Sequence, residues 1–400
     1  MRKLTFFIAL FIASISFINA QEKQVTLEEI WGGEFRGEYM DALHSMTDGE
    51  HYSVLDFDRA SRSTSVNKYN YKTLQKTATL VDSKNIEDIA YFSDYTFSSD
   101  ESQLLLATDV TPIFRHSSIG KYYIYNIKSK TTSLVSDQKI QEPTFSPDGK
   151  KVAYVFENNI YYKNLATGKV TQVTTDGKKN EIINGVTDWV YEEEFAFVRA
   201  FEWNKTGTKI AYIRFDETKV PEFSMDVYGS ELYQTQTVFK YPKAGENNAE
   251  VSLHMFDVTS SKNSAITLPE YYYIPRIKWT HDENIVSAQL LNRHQNKLDL
   301  VFVNATDLSA DTILTDTDNA YVDVTDNLTF LNNNSFIWTS EKDGYNHIYH
   351  YSKSGKLINQ VTKGNWEVTN YYGFNDKKGT IYYQSVENGS INRDVYTVNI

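Results

Sequence analysis

No cysteine occurs among the 400 residues, so no disulfide contributes to stability, and the residues around a candidate export cleavage site hold no thiol for lipid attachment. Burial and sheet hydrogen bonds must carry the fold. Basic residues are too few to balance the acidic ones: the formal net charge is -12, and no basic cluster interrupts the acidic balance. This argues against nucleic acid or an anionic membrane as partner. Long apolar runs are also missing beyond the first residues. The single apolar stretch, Leu4 to Ile18, follows Arg2 and Lys3 and precedes Asn19, Ala20 and Gln21. It is shorter than the ~20 residues a bilayer span needs and has the layout of a secretory signal with a cut after Ala20. The expectation is an exported protein, periplasmic or secreted, with residues 1–20 as signal.

Proline is scarce as well, 7 residues against 29 Tyr and 22 Phe, a bias toward side chains that fit half-buried pleated surfaces. All-β is the expected class, and the chain repeats itself. The clearest copy runs Phe145-Ser-Pro-Asp-Gly-Lys150, then the alternating stretches Val152-Ala-Tyr-Val-Phe156 and Ile160 to Leu165, then Thr167-Gly168 and Val170 to Val173. Asp-Gly and Thr-Gly are turn chemistry between short strands. Weaker copies start at Phe97, Trp203, Trp279, Phe330 and Phe374, with a degenerate one near Met46. Their spacing of roughly 45 to 60 residues, stretched once to about 75, is that of four-stranded propeller blades; a sandwich closes after about that many single strands. The expected architecture is a β-propeller over 46–400, after a lead segment at 21–45. The final stretch, Asp394 to Ile400, reads as a strand with no capping turn, so an incomplete ring is expected.

Between the copies at Trp203 and Trp279 lies a long insertion with Val220-Pro221 at one end and Tyr241-Pro-Lys-Ala-Gly245 at the other. It reads as a hairpin arm or as a disordered loop. Its Val220, Phe223, Val238 and Phe239 suit an intermolecular contact.

Chemistry concentrates in Asp188-Trp-Val-Tyr-Glu-Glu-Glu-Phe195. Three consecutive Glu on their own usually form a solvated face. Here Trp189, Tyr191 and Phe195 would tether a short helical turn and hold the carboxylates against a cavity. Fixed adjacent carboxylates receive a cation, and the cation implied for a peptide-handling protein is a free N-terminal ammonium, with a reference pKa of about 7.7 to 8.0. A metal is the rival, but no His stands at ligand spacing from Glu192, Glu193 or Glu194. His347 and His350, three apart in an alternating strand, fall on opposite faces. No metal and no cofactor is expected.

The segment Asp188-Trp-Val-Tyr-Glu-Glu-Glu194 resembles the amine-recognition stretch of the dipeptidyl peptidase IV family and its bacterial members. Phe114-Arg-His-Ser117, Phe215-Asp-Glu-Thr-Lys-Val-Pro221, Tyr241-Pro-Lys-Ala-Gly245, Gly344-Tyr-Asn-His-Ile348 and Lys363-Gly-Asn-Trp-Glu-Val368 follow in that family's order and extend the likeness over nearly the whole mature chain. The resemblance implies an eight-bladed ring, truncated here before an α/β-hydrolase domain. It implies that Glu193 and Glu194 grip the substrate's α-ammonium, that Glu192 has no binding role, and that Arg115 holds the substrate's peptide carbonyl. It further implies removal of Xaa-Pro or Xaa-Ala dipeptides from peptides with a free N-terminus, the C-terminal hydrolase domain as partner, and a homodimer made partly through the arm. The family's serine sits in Gly-x-Ser-x-Gly, and no Gly in this chain is followed two positions later by Ser. The chain by itself is therefore expected to hydrolyse nothing. Two other classes stay open: a propeller module that binds peptides without cutting them, and a relative acting as a tripeptidyl peptidase or an endopeptidase.

Overall fold

Alternation of apolar and polar side chains along most of the chain gives short antiparallel strands in the structure, a computed structural model that describes residues 24–37, 39–40 and 42–400. The signal read at residues 1–20 lies outside the described residues. Among the described residues no helix is long and apolar enough to cross a membrane. The segment up to Leu43 is a unit of its own. Its helix α1, Leu27–Gly32, starts at Thr26, whose hydroxyl accepts from the Glu29 backbone while the Glu29 carboxylate accepts from the Thr26 backbone.

From His44 onward the chain folds as a β-propeller of seven sheets, each a meander of neighbouring strands. Blade one comprises Leu43–Ser45, His51–Asp58, Ser63–Asn70 and Lys76–Asp82; blade two, Asp94–Phe97, Gln103–Pro112, Ser118–Asn126 and Thr131–Leu134. Blade three comprises Gln141–Phe145, Lys151–Phe156, Asn159–Asn164 and Val170–Gln172. Blade four is built on Lys209–Asp216, Glu250–Asp257 and Lys262–Ala265, with its first strand split into Ile182–Asn184 and Phe201–Trp203. Blade five runs from Tyr273–Trp279 to Ala310–Thr317 and blade six from Thr329–Phe330 to Leu357–Gln360. Blade seven has three strands, Val368–Asn375, Thr380–Ser385 and Asp394–Asn399.

The sequence repeat is the turn after each blade's first strand. Phe97, Phe145, Trp203, Trp279 and Phe330 end those strands, and Phe374 stands one residue from the end of its own. In the clearest copy the Ser146 hydroxyl accepts from the Lys151 backbone and donates to Asp148; in blade two Ser98 does the same with Gln103 and Asp100. Blade four replaces the serine with Asn204, whose carbonyl accepts from the Thr208 and Lys209 backbones. Apolar clusters then join neighbours: one links blades one and two, one links two and three, a large one runs from three to six, and one links six and seven. None of these contains side chains from both blade seven and blade one.

The long insertion is a hairpin, Glu222–Val227 paired with Thr235–Lys240, which corrects the disordered-loop alternative. One of its four expected contact residues is also reassigned: Val220 is buried in the core shared by blades three to six. His347 is fully buried beside Thr362 and the Gly364 carbonyl, and His350 meets Ser335 instead, so the two do not converge.

Candidate functional site

In blade four the split first strand opens an excursion of the chain. Ile182–Asn184 pairs with the far half of Lys209–Asp216, Ile182 facing Asp216, and Phe201–Trp203 pairs with its near half, Trp203 facing Ile210. Residues 185–200 leave and return between these halves. Their neck is stapled: the Gly185 N–H donates to the Ile213 carbonyl, Ala200 to Gly185, Ile213 to Ala200 and Thr187 to Val198. Gly185 has φ +78, and a Cβ there would stand 2.6 Å from a side-chain carbon of Ile160. Only glycine fits that corner.

Inside the excursion lies helix α2, Trp189–Glu194. Asp188 caps it, its carboxylate accepting the Tyr191 N–H at 2.9 Å. Tyr191 anchors it: the side chain is 1 % exposed, contacts the rings of Phe195, Phe197, Phe215 and Tyr273, and its hydroxyl accepts the Ile274 N–H at 3.0 Å. Burial pushes the Tyr191 hydroxyl well above its ordinary pKa. Trp189 packs instead against Tyr241 at the root of the arm, ring centroids 4.4 Å apart and planes tilted by 46°. The expected aromatic tether is thus present, with Trp189 holding the arm and Tyr191 and Phe195 holding the core.

The three glutamates project in three directions, as successive residues about 100° apart on a helix must. Glu192 is 1 % exposed, and one of its carboxylate oxygens accepts two backbone N–H groups, from His116 at 2.6 Å and Ser117 at 2.8 Å. Glu193 is partly exposed, and both its oxygens accept from Arg115 Nε, at 2.8 and 3.2 Å. Glu194 is exposed, and among the described residues its carboxylate has no hydrogen-bond partner. Arg115 is itself 70 % exposed, and its terminal nitrogens likewise have no partner among the described residues. At that exposure the ion pair is worth about 0–1 kcal/mol, so it orients the groups more than it stabilises the fold.

Arg115 comes from blade two, at the tip of the hairpin joining Gln103–Pro112 to Ser118–Asn126. The tip is closed by the Ile113 N–H on the Ser117 carbonyl and the Phe114 N–H on the Ser117 hydroxyl. Phe114 then meets Phe239 of the arm, centroids 5.8 Å apart, so blade two, the excursion and the arm root meet in one place. Blade three is bridged over.

Beside them Asp188, Trp189, Glu217, Phe239 and Lys240 line a cavity of about 680 Å³. Burial raises Asp188 to about 6 despite its capping bond. Burial likewise raises Glu217 to about 7, with the Asp188 charge adding and Lys240 opposing. Sequence reading missed Glu217, the backbone contacts of Glu192 and the Phe114–Phe239 contact. All three depend on partners distant along the chain, which no local pattern announces.

The site therefore presents a half-shielded carboxylate, a free carboxylate beside it, and the unpaired end of a guanidinium. That set matches a ligand bearing an ammonium next to a carbonyl. Among the described residues no group of three or more acidic or histidine side chains could hold a metal ion.

The family model described as "Dipeptidyl peptidase IV (DPP IV) N-terminal region" matches residues 98–400. The human protein "Prolyl endopeptidase FAP" is 28 % identical over 405 residues, covering 94 % of this chain and 51 % of that protein. The Trichophyton rubrum protein "Dipeptidyl peptidase 4" is 32 % identical over 329 residues, covering 77 % of this chain and 42 % of that one. The crystal structure of Porphyromonas gingivalis dipeptidyl peptidase 4 superimposes with a TM-score of 0.88 at 37 % identity, over 94 % of this chain and 54 % of that one. The chain spans about half the length of these relatives. On the family match and the shared propeller, this chain belongs to the dipeptidyl peptidase IV family and forms its N-terminal region.

Proposed function

We propose that this propeller recognises the free N-terminus of a peptide for a serine dipeptidyl peptidase whose hydrolase domain lies in the other half of the protein. The observation that carries the reading is the pair of carboxylates at the end of α2, Glu193 braced by Arg115 and Glu194 without a protein partner. An α-ammonium offers three N–H donors, and two carboxylates satisfy its charge. The terminal nitrogens of Arg115 then hold the first peptide carbonyl. A site that fixes the amine at a set distance from a distant serine admits two residues before the scissile bond, which makes the dipeptide length a ruler. Preference for Xaa-Pro or Xaa-Ala belongs to the hydrolase side of that ruler.

The relatives' doubled length supports a hydrolase half, and the absence of an apolar cluster shared by blades seven and one supports a ring with a further blade between them. Export rests on the apolar stretch after Arg2 and Lys3. Homodimerisation rests on the arm, whose tip exposes Tyr228, Leu232 and Tyr233.

The test is steady-state kinetics of the complete protein on Gly-Pro-p-nitroanilide. Glu193→Gln and Glu194→Gln are each expected to lower kcat/KM about a hundredfold, since each removes a charged hydrogen bond and half the countercharge, about 3 kcal/mol. Full activity in either variant would end this reading.

A further inference from the structure

We propose that Glu192, the glutamate without a place in the amine site, is the positioning residue that sets where Arg115 stands; the proposal rests on the reading of that site given above. A buried carboxylate is costly unless it is hydrogen-bonded, and an apolar side chain would fill the same space without that cost. What an apolar side chain cannot do is hold two successive N–H groups. Glu192 holds those of His116 and Ser117 on one oxygen.

Those two N–H groups belong to the residues directly after Arg115. The hairpin tip is closed internally by the Ile113 N–H on the Ser117 carbonyl and the Phe114 N–H on the Ser117 hydroxyl, and the contact with Glu192 fixes how the tip sits against α2. Neighbouring helix residues thus grip the same tip in two ways: Glu192 takes its backbone, and Glu193 takes the Arg115 side chain. The two segments lie on blades two and four and are more than 70 residues apart, |i−j| of 76 for the bond from His116 to Glu192. Without the backbone grip, an arginine 70 % exposed would be held only by a weak surface pair and would sample many positions. Glu194, exposed and facing away from the tip's contacts with its two neighbours, is left to the ligand. The glutamate run is therefore an ordered device in which the first residue places the hairpin, the second orients the guanidinium and the third meets the ligand.

The experiment is a double-mutant cycle in the complete protein. Glu192→Ala, Glu192→Gln, Arg115→Ala and the two double variants are assayed on Gly-Pro-p-nitroanilide, with active sites counted by a fluorophosphonate so that unfolded protein drops out. Glu192→Ala and Arg115→Ala are each expected to raise KM about tenfold, with kcat per counted site little changed. Glu192→Gln keeps a carbonyl oxygen for the two N–H groups and is expected to raise KM only about two- to threefold. Neither double variant is expected to be worse than Arg115→Ala alone, because Glu192 acts through that residue.

Effects that multiply in the double variant overturn the proposal. So does a Glu192→Ala protein that loses counted sites or melting temperature at unchanged KM, the mark of a purely structural role. Should Glu192→Ala fail to fold, the cycle with Glu192→Gln decides between the same two outcomes. If Arg115→Ala leaves KM unchanged, the proposal falls with the role given to Arg115, and the Glu193→Gln and Glu194→Gln kinetics show separately whether the amine site stands.

Discussion

Blades three and four share one meander and carry different burdens. Blade three joins its strands by short turns, including the two-residue turn Glu157 and Asn158, both left-handed at φ +47 and +60, and no insertion separates its four strands, whose one irregularity is a register shift between Ala153 and Val155. Blade four is interrupted twice, by the excursion that carries α2 and by the arm between Lys209–Asp216 and Glu250–Asp257. Each interruption starts and ends on hydrogen-bonded strand, so the sheet survives both. A propeller blade can therefore hold functional segments at fixed points without losing its own register, because the strand pairing resumes on either side of each insertion and Tyr191 and Phe195 of the excursion pack into the same core.

The comparison is broken or sharpened first at glycine. Gly185 and Gly168 both have positive φ, +78 and +71, but a Cβ at Gly168 meets nothing within 4 Å whereas one at Gly185 runs into Ile160. Gly185→Ala should cost about 3 kcal/mol, strain plus overpacking, and Gly168→Ala about 1 kcal/mol from strain alone. Urea unfolding of the two variants measures the difference, and equal losses would mean the neck of the excursion is not the tight corner described. Tyr191→Phe comes next. It leaves the buried Ile274 N–H without an acceptor and should cost about 2 kcal/mol of stability. A loss under about 0.5 kcal/mol in the same assay would show that the ring contacts alone hold α2.

The smallest effect depends on pH. Glu217 is raised to about 7 in the folded chain, above the unfolded carboxylate value of about 4.3. The folded state binds that proton more tightly, so the contribution is complete below about pH 4 and is lost as pH rises through about 7. Glu217→Gln removes this titration while Asp188, raised to about 6, keeps its own. The variant should be more stable than the parent by on the order of 1 kcal/mol at pH 8, with no advantage at pH 4. A stability difference that does not change between those pH values would contradict the burial argument.

Much of blade three was legible because its signals are local. Ser-Pro-Asp-Gly states its own hydrogen bonds within six residues, and the aromatic anchors mark the ends of first strands in six blades. The acidic segment was legible as a site because aromatic residues flank it. The different fates of Glu192, Glu193 and Glu194 were not, since identical neighbours differ only in what meets them from blade two. Val220 was misassigned for a related reason. An apolar residue before proline reads alike whether it enters a partner's surface or its own core, and here the core cluster takes it. The split strand of blade four was hidden because each half is three residues long, too short to show alternation.

Most direct for the central claim is the preference for a free amine. In the complete protein, kcat/KM for Gly-Pro-p-nitroanilide is compared with that for its N-acetyl derivative, in the parent and in Glu193→Gln and Glu194→Gln. The account predicts discrimination of at least about a hundredfold in the parent that collapses in both variants, because the lost carboxylate no longer distinguishes ammonium from amide. Discrimination that survives undiminished in both variants would place amine recognition elsewhere and contradict the account.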